Sequence, residues 1–251
     1  MGIETVKKGS ITTIIINNTE VKNAIDGTSA SELANAFKDF ENDPESKVAI
    51  LWGNGGTFCA GANLKALQAG TGNRLEETGD GPMGPTRMIL SKPTIAAISG
   101  YAVAGGTELA LFCDLRIAEK GSIMGIFNRR WGIPLIDGGT IRLPRIIGLG
   151  RALDLILTGR PVEAEEALAM GLITRVVDQG QALTEAEKLA EQLAEFPQTC
   201  LRHDKLSTYE QFGYSFNDAI LNEFKHGVES LTEIQSGLDR FVSGEGRHGK
   251  F

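Results

Sequence analysis

A short apolar run, Thr94 to Ile98, leads straight into Ser99-Gly100-Tyr101-Ala102-Val103-Ala104-Gly105-Gly106-Thr107-Glu108-Leu109. This passage constrains the fold more than any other. The run reads as a buried strand and the residues from Thr107 to Cys113 as a helix, with Gly105 and Gly106 turning the backbone sharply between them. A helix that begins on bare backbone has N–H groups without partners, aimed outward with the positive end of its dipole. The pattern predicts a place where a developing oxyanion is held, one such donor being worth ~3 kcal/mol of transition-state stabilisation. Glu108 falls in the first turn of that helix, and its i+3 and i+4 neighbours, Leu111 and Phe112, put it on an apolar stripe. A carboxylate there fits general acid/base work, with desolvation raising its pKa and the helix N-terminus opposing the rise. The structural alternative is a carboxylate held by the dipole or paired with an arginine.

The same order of strand, small-residue loop and helix recurs. Val48 to Trp52 runs into Gly53-Asn54-Gly55-Gly56-Thr57-Phe58-Cys59-Ala60-Gly61-Ala62-Asn63-Leu64, which makes the Ala62 N–H a second candidate donor beside that of Gly105. Ile11 to Ile16 is a β-branched strand closed by Asn17-Asn18, and a helix runs from Ser29 to about Glu41, stopped by Asn42-Asp43-Pro44. Leu115 to Ala118 is a further strand. The segment from Gln68 to Arg87 lacks apolar periodicity and reads as a loop or lid. These units stack as ββα-like repeats on one core. In the glycine-rich stretch from Ile126 to Thr140, Asp137 precedes Gly138-Gly139 and reads first as a turn former, second as a site acid. Gly148-Leu149-Gly150 lacks the third glycine of a dinucleotide fingerprint. Beyond about Gly150, successive helical patterns follow, so the expected architecture is an α/β core over residues 1–195 and a helical C-terminal region over 196–251.

A net charge of −7 argues against a general nucleic-acid binder. Cys59, Cys113 and Cys200 are odd in number and widely spaced, which supports neither a disulfide framework nor a metal site and fits a reducing cytoplasm. His203, His226 and His248 lie in the last quarter at no metal-ligand spacing and read as solvated or core residues; no metal is expected. No serine sits in a G-x-S-x-G elbow. No apolar run approaches the ~18 residues that cross a bilayer.

Four stretches together resemble the crotonase superfamily, the enoyl-CoA hydratase/isomerase family. Phe58-Cys59-Ala60-Gly61-Ala62-Asn63-Leu64 is similar to its F-x-A-G-A-D-[IL] loop, and Ala104-Gly105-Gly106-Thr107-Glu108-Leu109 to its G-G-G-x-E-L segment. Lys22-Asn23-Ala24 is similar to its [KR]-N-A element, and Gly138-Gly139-Thr140-Ile141-Arg142-Leu143-Pro144-Arg145 to its G-G-T-x-R-L-P-R run. The resemblance implies an α/β spiral of ββα repeats with a helical C-terminal region used for trimerisation, often as a dimer of trimers. It implies an acyl-CoA thioester substrate and no separate cofactor, with the Ala62 and Gly105 amides as the oxyanion hole. Lys22, Ala24, Ala60, Gly61, Asn63 and Leu64 would contact CoA, and Lys250 would reach a neighbour's CoA phosphate or remain a solvated tail residue.

One departure matters. The position that carries the second catalytic glutamate of the hydratases is Asn128 here, while Glu108 matches the first. Syn addition of water uses two carboxylates, so Asp137 or Asn128 would orient the second reactant. The expected function is hydration of an enoyl-CoA or related lyase chemistry, with isomerase, hydrolase and decarboxylase reactions as alternatives. A non-catalytic acyl-CoA-binding or RNA-binding homologue is the alternative of another class.

Overall fold

The computed structural model describes residues 2–245. The chain begins with an antiparallel pair, β1 (Gly2–Lys8) and β2 (Ile11–Asn17), followed by helix α1 (Gly27–Asn42) and strand β3 (Val48–Gly53). Asp26 caps α1 by accepting from the Ser29 N–H at 2.9 Å, so the helix opens two residues ahead of the serine expected to start it. A short helix α2 (Leu64–Gln68) precedes the long loop; β4 (Thr94–Ile98), β5 (Tyr101–Val103) and α3 (Gly105–Phe112) follow it. Then come β6 (Leu115–Glu119), β7 (Ile123–Gly125), α4 (Gly139–Ile147), α5 (Leu149–Thr158), β8 (Val162–Glu163), α6 (Ala164–Ala169) and β9 (Arg175–Val177). The chain continues through α7 (Ala182–Glu195), α8 (Gln198–Glu210), α9 (Phe216–Ser230) and α10 (Ile234–Ser243).

Each turn of the chain sends one strand to a large sheet and the next few residues to a smaller one. The large sheet has the order β1-β2-β3-β4-β6-β9, parallel from β2 onward. The smaller layer begins as single rungs, Ile25 with Ala62 and Cys59 with Ala102, and widens into β5-β7-β8. Thus β2, β3, β4 and β6 each step across before the chain moves on, which is the ββα spiral expected from the recurring pattern.

Side-chain alternation explains the layering. Val48, Ile50, Ile95, Ala97 and Ile117 face one side of the large sheet, where α7 lays Ala186, Leu189 and Ala190 over them. Ala49, Leu51, Ala96 and Ile98 face the other, against Phe37 of α1, Phe58 and Leu109 of α3. Both faces are buried, so the strands read as continuous apolar runs. Among the described residues, the helices after Glu195, α8, α9 and α10, have no buried residue. Gly148-Leu149-Gly150 forms the junction of α4 and α5, with no strand before it. No helix among the described residues is long and apolar enough to cross a membrane.

Candidate active site

Gly105 opens α3, two residues earlier than the apolar pattern predicts, because its entry is fixed from outside the helix. The Ala104 N–H donates to Gly125 O at 2.8 Å, and Thr107 Oγ1 donates to Ala102 O at 2.8 Å. Ala104 is held at a φ of 54°, a left-handed conformation that costs a non-glycine residue about 1–3 kcal/mol. Opposite stands the loop after β3. It is threaded by Asn23, fully buried, whose Nδ2 donates to Asn54 O at 2.8 Å and to Thr57 O at 2.6 Å. The Ile25 N–H donates to Gly61 O and the Asn63 N–H to Ile25 O, both at 2.8 Å. The two loops meet closely: a Cβ at Gly61 would stand 2.9 Å from Ala104 Cβ and 3.1 Å from Gly105 N. The N–H groups of Ala62 and Gly105 have no acceptor among the described residues, and both residues line one cavity of about 380 Å³.

Glu108 lines the same cavity and is 3% exposed. Its Oε1 accepts from the N–H groups of Asp137 and Gly139, each at 2.9 Å, so the carboxylate sits at the N-terminus of α4 as well as in the first turn of its own helix. Among the described residues it makes no ion pair with an arginine. Burial pushes its carboxyl up to about 7, the neighbouring Asp137 charge adds to the rise, and the Gly139 and Asp137 amides and the Arg142 charge oppose it.

Asp137 is also brought to this cavity. Its side chain does not form the local turn that its place before Gly138-Gly139 suggests: Oδ1 accepts from the Met83 N–H at 2.9 Å and from Thr86 Oγ1. Gly138, at a φ of 91°, makes the turn without it. Burial raises the Asp137 carboxyl, against the Thr86 and Met83 hydrogen bonds and the charges of Arg87 and Arg142. Sequence alone could not reveal that partnership, which spans the chain from 83 to 137.

Asn128 lines the cavity, and its Nδ2 donates to Ile133 O at 2.8 Å, leaving Oδ1 buried without a partner. Trp131 is 70% exposed and lines the cavity wall, as does Phe127. Of the six residues expected at CoA, Ala60 and Leu64 line the cavity. Asn63 instead caps α2, its Oδ1 accepting from the Lys65 and Ala66 N–H groups at 3.2 Å. Lys22 is exposed, with Nζ 5.9 Å from the Tyr101 ring centroid, while Ala24 and Gly61 are buried behind the loop. The wall also takes Asn73 and Leu75 from the long loop. Cys59 and Cys113 are buried and Cys200 is exposed, all three free. His203 and His226 meet, Nδ1 to Nδ1 at 2.8 Å, between α8 and α9, a contact that their spacing in sequence did not signal. His248 and Lys250 lie outside the described residues.

The profile of the enoyl-CoA hydratase/isomerase family matches residues 6–245. The chain belongs to that family. It is 38% identical over 196 residues to the enoyl-CoA hydratase EchA19 of Mycobacterium tuberculosis, covering 75% of this chain and 73% of that one. It is 37% identical over 189 residues to carnitinyl-CoA dehydratase of Escherichia coli, covering 74% and 72% of the two chains. The crystal structure of enoyl-CoA hydratase EchA1 from Mycobacterium marinum superposes with a TM-score of 0.90 at 34% identity, covering 96% of this chain and 95% of that one. Membership accounts for the crotonase-type spiral, and the fold is common to this chain and its relatives over nearly the whole length.

Proposed function

We propose that this family member adds water to, or removes it from, an enoyl-CoA thioester. The observation that carries the reading is one cavity lined both by Ala62 and Gly105, whose amides have no acceptor among the described residues, and by two buried carboxylates, Glu108 and Asp137. The thioester oxygen seats on the two amides. Water gives up one proton to the acid/base as its oxygen bonds to C3, the C2=C3 electron pair moves to give an enolate at the thioester oxygen, and a proton is delivered to C2 as that enolate collapses. Glu108, poised near neutral pH, moves the protons. Asp137 or the Asn128 amide holds the water in the place where hydratases have a second glutamate. Ala60 and Leu64 contact CoA at the wall, Lys22 faces its phosphates, and Ala24, Gly61 and Asn63 shape the loop that receives it. Names of similar chains, a hydratase and a dehydratase, support this class of reaction.

Isomerisation is the second reading, favoured by Asn128 and by the hydrogen bonds that already occupy Asp137 Oδ1. A single Glu108 carrying a proton between carbons would then suffice. We assign the chain to the cytoplasm on its three free cysteines, residues 1–195 to the catalytic body and 196–251 to assembly as a homotrimer or a dimer of trimers.

Loss of conjugated-thioester absorbance from crotonyl-CoA tests the reading. Brisk turnover by wild type, cut about 10²- to 10⁴-fold in Glu108→Gln with thioester binding kept, is the expected result. Absent wild-type turnover that appears in Asn128→Glu overturns hydration as the native reaction.

A further inference from the structure

A second cavity, of about 480 Å³, opens between α3, α4 and α8 and shares Ile136 with the wall of the Glu108 site. Much of its surface is apolar, from Leu111, Phe112, Ile141, Ile146 and Phe212. Set into it are Arg87, Arg116, Arg142, Arg145 and Lys205, against one carboxylate, Asp114. That carboxylate is already committed, to Lys205 Nζ at 2.9 Å, to Tyr209 Oη at 2.8 Å and to the N–H and hydroxyl of Thr94. Arg116 spends its donors on the carbonyls of Leu172 and Cys113. Arg142 donates to Asp137 O and Thr86 O, Arg87 to Glu76 O, and Arg145 lies over the Phe212 ring at 4.1 Å. None of these three arginines is in an ion pair among the described residues. A protein of net charge −7 thus keeps three guanidinium groups outside any ion pair, among the described residues, around an apolar hollow.

We propose that this second cavity binds an amphiphilic monocarboxylate, a fatty-acid-like anion whose carboxylate is taken by Arg145 and Arg142 and whose chain lies along Phe112, Ile136 and Ile141. A planar guanidinium matches a carboxylate in two parallel hydrogen bonds, and the apolar wall takes the chain. Arg142 makes the two cavities one system, because its charge draws down the carboxyls of both Glu108 and Asp137. An anion against Arg142 offsets that pull, so occupancy moves the pH profile of turnover to higher pH.

The test is titration calorimetry with sodium octanoate on the full chain, beside octanol and octyltrimethylammonium. One saturable site per chain for octanoate is expected, weaker by about tenfold or more for octanol, in Arg145→Gln and in Ile141→Glu, which sets a competing carboxylate in the hollow. Circular dichroism establishes that both variants fold, each change being at an exposed position. No saturable octanoate binding by wild type, equal binding of octanol, or unchanged binding in both variants overturns the proposal. If a second copy fills the hollow, octanoate fails to bind and the variants change the sedimenting mass, which also overturns it. Crotonyl-CoA turnover on the same samples reads the catalytic assignment separately, since octanoate binding requires no turnover.

Discussion

Glu108 accepts from the N–H groups of Asp137 and Gly139, which favour its charged form, yet burial and the neighbouring Asp137 charge outweigh them, so its neutral form is favoured in the folded chain. Its carboxyl rises from 4.5 to about 7. The native state therefore retains a proton that the unfolded chain releases as pH climbs through that window, and stability falls with rising pH until it levels off above about 7. The loss at pH 8 amounts to about 3 kcal/mol at most. Urea unfolding of Glu108→Gln is expected to show a gain over wild type at pH 8 that shrinks towards pH 5; a gain equal at both pH values removes titration of Glu108 as its cause. The signal for this residue was readable from its neighbours Leu111 and Phe112, which mark a buried stripe. Its anchors at Asp137 and Gly139 were not, because a hydrogen bond 29 or 31 residues along the chain leaves no local pattern.

At the scale of elements, α3 and the loop after β3 act as one unit because Gly61 lets them touch. An alanine there takes on a φ of +94° and brings its Cβ against Ala104 and Gly105 N. Gly61→Ala is expected to lower kcat on crotonyl-CoA about tenfold or more, by parting the two amides, with a loss of stability of about 1–3 kcal/mol. Steady-state kinetics beside thermal unfolding separates these effects, and unchanged kcat sinks the pairing of the amides. Strands β2, β3, β4 and β6 were legible as apolar β-branched runs. Strands β5, β7, β8 and β9 were not, being two or three residues long and defined by partners elsewhere. β1 was missed for another reason: its exposed alternation with charged residues, Glu4, Lys7 and Lys8, hides an edge strand. The site shows the same division. Ala62, Gly105 and Glu108 announced themselves through glycines and spacing, whereas the Met83 and Thr86 partners of Asp137 come from a segment that reads as plain loop.

The whole molecule leaves much apolar surface open on its helical end. Phe216, Ile220, Leu221, Phe224 and Val228 of α9 are all exposed, Phe224 at 70%. A patch of this size is costly in water and is normally covered by another chain. Sedimentation is expected to give the mass of a trimer or hexamer for wild type, and a smaller species for Phe224→Asp with its circular dichroism unchanged. A wild-type monomer overturns the expected assembly.

Asp137 carries two duties at once: its N–H steadies Glu108 and its carboxylate grips Met83 and Thr86. The loop from 81 to 87 and the two carboxylates are therefore one mechanical part, and neither is replaceable alone. The neighbouring stretch from 70 to 77 lends Asn73 and Leu75 to the cavity wall and no hydrogen bond to either carboxylate, but it is tied to that loop, Asn73 Nδ2 donating to Pro82 O at 2.8 Å and Arg87 Nη1 to Glu76 O at 2.7 Å. An engineer who wished to reshape that wall would change Leu75 and keep Asn73 and the Glu76 carbonyl, so that the loop holding Asp137 stays in place.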